Sequence, residues 1–438
     1  MRQLCIYINE RLVGELSETE DVWSFKYDSS WAEAPDAFDL SPWLARKQLL
    51  HVDGASNRTV QWYFDNLLPE EAQRVLLSRE AGIQGDDAFA LLQYLGAESA
   101  GSLVLRPCGE LTTASGTRLQ LDFDDLSQRI RRLPRMSLSF DAPKRMSAAG
   151  AQNKLLVVYR EGRLYEPQGL EPSTHILKPE HGSEDYPASV INEFATMTLA
   201  KRLGLSVPAV VRLYVPEPVY LVERFDRRTD HNDQVQRTHI IDACQLLNKP
   251  RAYKYAASSL EALKQCAEHC NNKASTRLRL FQWLLFNVLI GNDDIHLKNL
   301  SFAVSASGIE LCPAYDLLST AAYHTRAYAD ERAIWPNVPL MIPLPGAGTF
   351  AEVNRQCLRH AGAELGIDQA IADREIDTLM RKLSSELDAV ISDIELKNPS
   401  LPGAGGLRQA SDLRLLSVIK HIVVKDMLNR IEPKTAPQ

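Results

Sequence analysis

The sequence predicts an α+β chain of two lobes, with an added N-terminal subdomain and a mostly helical C-terminal lobe. Three observations predict it. Short apolar segments of β character cluster between residues 155 and 222 around a single helical stretch. Beyond about residue 240 the apolar residues recur at helical spacing almost to the end. A hairpin and several helices fill the first hundred residues, ahead of a more polar stretch punctuated by Pro134 and Pro143. Strands followed by helices make lobes with a cleft between them, and such a cleft is the usual seat of a small ligand.

In chain order, residues 4–8 and 12–16 flank Asn9-Glu10-Arg11 as a small hairpin. Residues 59–77 are helical in pattern: Trp62, Leu67 and Leu68 fall near one face, and Pro69-Glu70-Glu71 starts a fresh helix. Residues 86–95 make another helix, broken by Gly96 before a strand at 103–105. A boundary falls near residue 140. Residues 155–159 and 163–165 form a hairpin over Glu161-Gly162, 174–177 a third strand ending at Lys178-Pro179, and 187–203 a helix closed by Gly204. Strands are expected at 207–214 and 219–222, then helices at 260–270, 276–290, 350–363, 369–396 and 407–427. The division is residues 1–140 for the N-terminal subdomain, 141–235 for a strand-rich lobe, and 236–438 for a helical lobe.

The chain has 438 residues, 45% apolar and 24% charged, with a net charge of -7, so bulk electrostatics do not make it a nucleic-acid binder. Seven scattered cysteines argue against a disulfide framework and for a reducing compartment. The N-terminus has too few apolar residues for a signal peptide, and no apolar run nears the roughly 20 residues of a membrane helix. The expected location is the cytoplasm, with no membrane partner.

The chemistry is carried by Gly291-Asn292-Asp293-Asp294-Ile295-His296-Leu297-Lys298-Asn299-Leu300 and by Tyr315-Asp316 beyond it. Asp294 precedes Asn299 by five residues, and Asp316 follows Asn299 by seventeen. Phosphoryl transfer needs a carboxylate to orient or deprotonate the attacking hydroxyl, here Asp294. It needs a loop amide and a second carboxylate on the metal, here Asn299 and Asp316, and hard oxygens suit Mg²⁺ held with phosphates. Lys298 is placed to neutralise charge on the transferring group. The bland alternative is a polar helix end, since Asn, Asp and Lys are common in loops; the second motif downstream makes the chemical reading the more specific. Asp293 is the weaker aspartate, being six residues from Asn299.

Ser147-Ala148-Ala149-Gly150-Ala151-Gln152-Asn153-Lys154 is a small-residue loop leading into a strand, suited to close approach of backbone N–H groups to phosphate. Standing alone it would read as a linker. Lys178 ends a strand where it can meet phosphate, and Glu193 in the next helix could pair with it. Glu223, Arg224 and Phe225 leave a strand where adenine can be held by backbone groups and an apolar face. Cys266, His269 and Cys270 lie at helical spacing but lack a second pair for zinc. Pro336, Pro339, Pro343 and Pro345 read as an ordered loop.

In these residues the chain resembles the HipA family, the toxin kinases of bacterial toxin–antitoxin pairs. The resemblance rests on the 147–154 loop, on Thr174-His175-Ile176-Leu177-Lys178, on Val222-Glu223-Arg224-Phe225-Asp226-Arg227, and on the two motifs around Asp294 and Asp316. It implies a Ser/Thr protein-kinase-like fold, ATP and Mg²⁺ as cofactors, and a translation component, such as an aminoacyl-tRNA synthetase, as substrate. It also implies a helix-turn-helix antitoxin partner and, through it, operator DNA. By position it implies nucleotide contacts at Ala149, Gly150, Ala151, Gln152, Asn153, Lys154, Lys178, Glu223, Arg224, Phe225, His296, Leu297, Lys298, Asn299, Tyr315 and Asp316. Ser147 matches the family's autophosphorylated serine. Asn153 stands where Glu is frequent, and residues 327–348 match no motif. Two other readings stand beside this one: a small-molecule phosphotransferase, which the N-terminal subdomain disfavours, and a non-catalytic corepressor, which would not need Lys178, Asp294, Asn299 and Asp316 together.

Overall fold

The computed structural model describes residues 1–109, 116–146, 149–230, 234–397 and 406–432. The chain divides into two compact units. The first comprises Met1–Pro179, Leu221–Lys254 and Ser301–Cys312; the second comprises Glu180–Tyr220, Tyr255–Leu300 and Pro313–Gln438.

The first unit opens with an antiparallel sheet of β1 (Arg2–Ile8), β2 (Arg11–Thr19), β3 (Val22–Tyr27), β4 (Leu50–Val52) and β5 (Leu103–Arg106), ordered β4-β3-β2-β1-β5. The two-residue period buries Leu4, Ile6 and Ile8 of β1 with Trp23, Phe25 and Tyr27 of β3. Helices Thr59–Asp65 and Ala88–Leu95 cover that face, bringing Phe64 to 5.7 Å from Phe25 and Phe89 to 5.2 Å from Trp23, ring centre to ring centre. The expected hairpin is thus the middle of a larger sheet. The sheet also corrects the cysteine reading for one pair. Cys5 lies opposite Arg106 in the β1–β5 ladder, which brings Cys108 alongside, and the two are disulfide-bonded. The other five cysteines are free and buried.

The same unit holds β6 (Thr117–Gln120), β7 (Leu155–Arg160), β8 (Arg163–Gln168) and β9 (His175–Pro179), ordered β9-β7-β8-β6. Glu161 and Gly162 both have positive φ, 50° and 77°, which a two-residue hairpin turn requires. Ile240–Asp242, Ser301–Ser305 and Gly308–Leu311 form a further antiparallel sheet.

The second unit is built on helix Lys273–Ile290, in which Leu280, Phe281, Leu284, Leu285, Phe286 and Ile290 are fully buried. Asn272 caps it by accepting from Ser275 N at 3.0 Å. Helices Leu260–His269, Arg355–Glu364 and Gln369–Lys397 pack against it. The longest of these buries Ala372, Ile376, Leu379, Leu383, Leu387, Val390 and Ile394, a stripe of three- and four-residue steps. The last expected helix is Gly406–Val418, a π-helical turn Ile419–Val424, then Lys425–Ile431. The proline run is a hairpin and not a loop: Pro339–Leu344 pairs with Ala347–Thr349. Pro339 and Pro343 take the exposed positions while Leu340, Ile342 and Leu344 are buried, so the prolines sit where strand alternation tolerates them. No helix among the described residues is long and apolar enough to cross a membrane.

Candidate active site

The residues singled out in the sequence fall into two groups, one in each unit. In the second unit helix Lys273–Ile290 stops at Gly291, whose φ is 67°. A Cβ there would be left-handed and would lie 2.6 Å from Val423 Cγ1 and 3.1 Å from the Ala321 methyl, so glycine is required both to end the helix and to fit. The chain then turns into the Asp294 loop over a buried amide ladder. Asn287 Nδ2 donates to Trp283 O at 2.8 Å, and Asn292 Nδ2 donates to Asn287 Oδ1 at 2.8 Å. Asn292 Oδ1 in turn accepts from Asp294 N at 3.1 Å.

The two neighbouring aspartates have different surroundings. Asp293 faces His324 Nε2 at 3.3 Å, and this hydrogen bond is the main cause holding the imidazole pKa above its ordinary value. Asp294 is exposed and accepts from the Tyr255 hydroxyl at 2.9 Å. Asn299 closes the loop by donating from Nδ2 to Asp294 O at 3.1 Å, which leaves its amide oxygen as the atom able to ligate a cation. Tyr315 donates to Lys298 O at 2.7 Å, tying the second motif to the first. Of the residues between, Leu297 is fully buried and belongs to the core.

Asp316 has φ 58°, a left-handed conformation that Asp tolerates better than most side chains. Its neighbourhood is fixed by helix Ser189–Arg202. Thr196 donates to Leu317 O, and Asn192 both donates to Ser319 O at 3.1 Å and accepts from Ser319 N at 2.8 Å. Glu193 of the same helix and Asp316 both lie beside the fully buried Tyr220 hydroxyl. Burial first, then these two carboxylates, push its pKa well above the ordinary range. Among the described residues no group of three His, Cys, Asp or Glu side chains gathers as a metal cage. Asn299 and Asp316 supply a hard amide oxygen and a carboxylate, a donor set that fits Mg²⁺ only when phosphate and water complete its shell.

In the first unit the chain is tied to the N-terminal hundred residues just before the small-residue loop and again within it. Met146 bridges Gly96, and Gly150 bridges Pro69, with Glu70 N donating to Gly150 O at 3.2 Å. Gly150 has φ 109°, and Lys154 Nζ donates to Ala149 O across the turn. Ala151, Gln152 and Asn153 are half-buried along the same turn. Ser147 lies outside the described residues. Lys178 is on β9 and half-buried. Glu70 also takes Lys254 Nζ at 2.7 Å, and Glu71 takes the same ammonium at 2.7 Å.

Glu223 is exposed at the end of strand Pro218–Glu223, and Phe225 just beyond it is half-buried. Arg224 points inward. Its N–H donates to Thr174 O at 2.9 Å, and its guanidinium bonds both Asp226 oxygens, Glu98 Oε1, Ser173 Oγ and Ser99 O at 2.6–3.1 Å. The hub is Glu98, with no exposed surface. It accepts from Lys144 at 3.0 Å, Ser173 N at 3.0 Å, Ser173 Oγ at 2.5 Å, Arg224 at 3.1 Å and Arg227 at 3.0 Å, while Arg237 lies 3.9 Å away. Burial alone would raise its pKa, but Lys144, Arg227, Arg224 and Arg237 hold it well below the ordinary glutamate value. Sequence reading missed Glu98, Glu70, Asn292 and Tyr255. Only Asn292 carried a local signal, directly before the two aspartates.

Residues 4–106 match the family model described as the HipA N-terminal domain, and residues 146–387 match the HipA-like C-terminal domain. The chain belongs to the HipA family. It is 34% identical over 337 residues to the serine/threonine-protein kinase toxin HipA of Shewanella oneidensis, covering 73% of this chain and 75% of that protein. It is 31% identical over 408 residues to the protein Y4mE of Sinorhizobium fredii, covering 90% of this chain and 93% of that one. The solved complex of Shewanella oneidensis HipA, HipB and operator DNA contains a chain that superposes with a TM-score of 0.77 at 28% identity, over 97% of this chain and 99% of that one. The fold class is accordingly α+β and protein-kinase-like.

Proposed function

We propose that the chain is an ATP- and Mg²⁺-dependent serine/threonine protein kinase and the toxin of a toxin–antitoxin pair. The observation that carries this reading is the second unit's catalytic loop. An exposed Asp294 is fixed through its backbone to Asn292 and Asn299, and Asp316 follows in a left-handed conformation. Asp294 orients the acceptor hydroxyl and takes its proton as the γ-phosphoryl group moves. Asn299 Oδ1 and the Asp316 carboxylate would hold the cation, and Lys298 would add positive charge near the transferring group. Mg²⁺, when bound, neutralises charge on the phosphate oxygens. The Ala149–Lys154 turn and Lys178 receive the phosphates, and Glu223 and Phe225 receive the base.

The relatives support the biological setting. One is named a serine/threonine-protein kinase toxin, and its solved complex includes HipB and operator DNA. We extend this to a helix-turn-helix antitoxin and operator DNA as partners, a protein substrate in the translation machinery, and autophosphorylation at Ser147. Phosphate on Ser147 would add roughly -1.5 to -2 charges beside a loop meant for ATP, lowering its affinity.

The test is phosphoproteomics after induction, set against an Asp294→Gln chain. New phosphoserine or phosphothreonine on one translation protein, absent in the control, is expected. Phosphorylation of a small-molecule panel faster than any protein would overturn the assignment. Ser147 left unmodified after incubation with Mg-ATP would remove the self-phosphorylation alone.

A further inference from the structure

The last helix of the second unit is irregular, and its irregular turn lies against the root of the catalytic loop. It is α-helical over Gly406–Val418 and Lys425–Ile431, with the π-helical turn Ile419–Val424 between. Lys425 N–H reaches Lys420 O, five residues back, one more than an α-helix spans. The buried residues show what the extra residue does. At about 100° per residue, an unbroken α-helix would set Ile419 and Ile431, both buried, about 120° apart; absorbing one residue brings them to within about 20°. The wide turn thus keeps one apolar face along the helix. Lys420 anchors it to helix Gln369–Lys397 through Asp388 at 2.5 Å. The turn sets Val423, with no exposed surface, over Gly291. The three side chains nearest a Cβ placed on Gly291 are Val423, Ala321 and Trp335, at 2.6, 3.1 and 3.6 Å. Gly291 O accepts from Ala321 N at 2.9 Å, and Asp293 N donates to Thr320 Oγ1 at 2.8 Å. Val423 therefore sits where the Asp294 loop and the 3-10 turn Thr320–His324 are joined.

We propose that Val423 is a positioning residue for Asp294, a role that rests on the kinase reading above. Gly291 lies three residues before Asp294. A glycine has no side chain to wedge its own backbone in place, so that backbone is held by whatever packs on it. The valine methyl groups fill the space and fix where the loop starts, and a displacement there is carried three residues on to the Asp294 carboxylate. Asp316 has a separate support. Leu317 O accepts from Thr196, and Ser319 N donates to Asn192, both on helix Ser189–Arg202. Loss of the valine methyls should therefore misplace Asp294 and leave the residue proposed to hold the cation where it is. The bland alternative is a valine that only fills the core, and its neighbour Val424, equally buried in the same turn, shows what that role alone would do.

Val423→Ala removes the methyl groups at Gly291, and Val424→Ala removes the same groups one residue on. Transfer of the γ-phosphate of saturating Mg-ATP, to casein as acceptor probe, to the chain's own hydroxyls or to water, is measured for both. The dissociation constant for Mg-ATP and the urea midpoint are measured separately. The two midpoints should fall alike, since the same groups leave equally buried places. The expected result is a kcat lowered roughly tenfold by Val423→Ala and by less than about twofold by Val424→Ala, with Mg-ATP affinity within about twofold of wild type in both. Val423→Thr keeps the branched shape, so it should return kcat to within about twofold of wild type even though its buried hydroxyl lowers the midpoint. Activity that follows shape and not stability is what a valine that only fills the core would not give. Equal losses of kcat in the two alanine variants, or a Val423→Thr chain as slow as Val423→Ala, overturn the inference in favour of that bland role, as does a Val423→Ala chain that does not fold. An unchanged kcat in Val423→Ala overturns it while the kinase reading stands, and weakened Mg-ATP binding overturns it in favour of a role in holding the nucleotide. A wild-type chain inert toward Mg-ATP overturns both the inference and the kinase reading.

Discussion

Glu98→Gln is the most informative perturbation of the first unit, because it keeps the shape of the side chain and removes one charge. Glu98 is fully buried, and Lys144, Arg224, Arg227 and Arg237 surround it, with Asp226 as the other carboxylate of the cluster. Among these residues four cations already face two carboxylates, and the substitution leaves four facing one. It also puts an amide N–H₂ where an oxygen accepts from Lys144 or from Arg224, Arg227 and Ser173. Breaking a buried ion pair by removing one partner costs about 3–5 kcal/mol, and the surplus of cations here places the change toward the upper end. With a urea slope on the order of 2–3 kcal/mol/M, the midpoint of the affected transition should fall by roughly 1.5–2.5 M. Tryptophan fluorescence reads it, since Trp23 lies in the core of the same unit.

The pH dependence supplies a second constraint. The folded pKa of Glu98 lies well below the unfolded value near 4.5. A depressed carboxylate contributes stability that is fully present above its unfolded pKa and is lost as pH falls through the folded one. The gap between wild type and Glu98→Gln should therefore be full at pH 6–7 and shrink only below about pH 4.5. Lys144, Ser173 and Arg224 lead into the 149–154 turn, β9 and the Glu223–Phe225 segment, which are proposed to hold ATP, so ATP affinity should fall with stability. An unchanged midpoint at pH 7, or a gap that stays constant down to pH 3, would refute the argument.

Four further outcomes are expected. Asp316→Asn should abolish phosphoryl transfer and weaken Mg-ATP binding, measured by calorimetry with and without Mg²⁺. Gly291→Ala forces a left-handed alanine, at about 1–2 kcal/mol, into a place where Val423 leaves its Cβ only 2.6 Å; the melting temperature should drop by several degrees and activity should fall with it. Glu70→Ala removes an acceptor from the buried Lys254 beside the Gly150 contact and should raise the ATP dissociation constant in equilibrium binding. With a net charge of -7, the purified chain should bind duplex DNA only weakly at physiological salt, and tight sequence-specific binding without a partner in a gel-shift assay would contradict the antitoxin's proposed role.

Much of this was legible because the informative signals are local. The apolar run ending in Gly291 marks a helix and its stop, and the residues after it carry their chemistry in consecutive positions. Glu161-Gly162 named its hairpin for the same reason. β3 was missed although Trp23, Phe25 and Tyr27 alternate; the short hairpin before it drew the reading to a single turn. The proline hairpin was missed because Pro339 and Pro343 suppress a strand assignment unless their alternation with Leu340, Ile342 and Leu344 is counted. Glu98 and Tyr255 were not legible at all. Glu98 draws its partners from as far as residue 237, and Tyr255 lies 39 residues from Asp294, so only the fold gives either its meaning. The Cys5–Cys108 bond is another long-range consequence, set by the β1–β5 ladder.

The central claim is that Asp294 performs phosphoryl transfer with Mg-ATP. The most direct test is a single-turnover assay of γ-phosphate transfer by the purified wild-type chain and by Asp294→Asn, with Mg-ATP affinity measured in both. The account predicts Mg²⁺-dependent transfer by wild type, none by the variant, and nearly equal affinities for ATP. Full activity in Asp294→Asn, or a wild-type chain that neither binds nor consumes Mg-ATP, would contradict it.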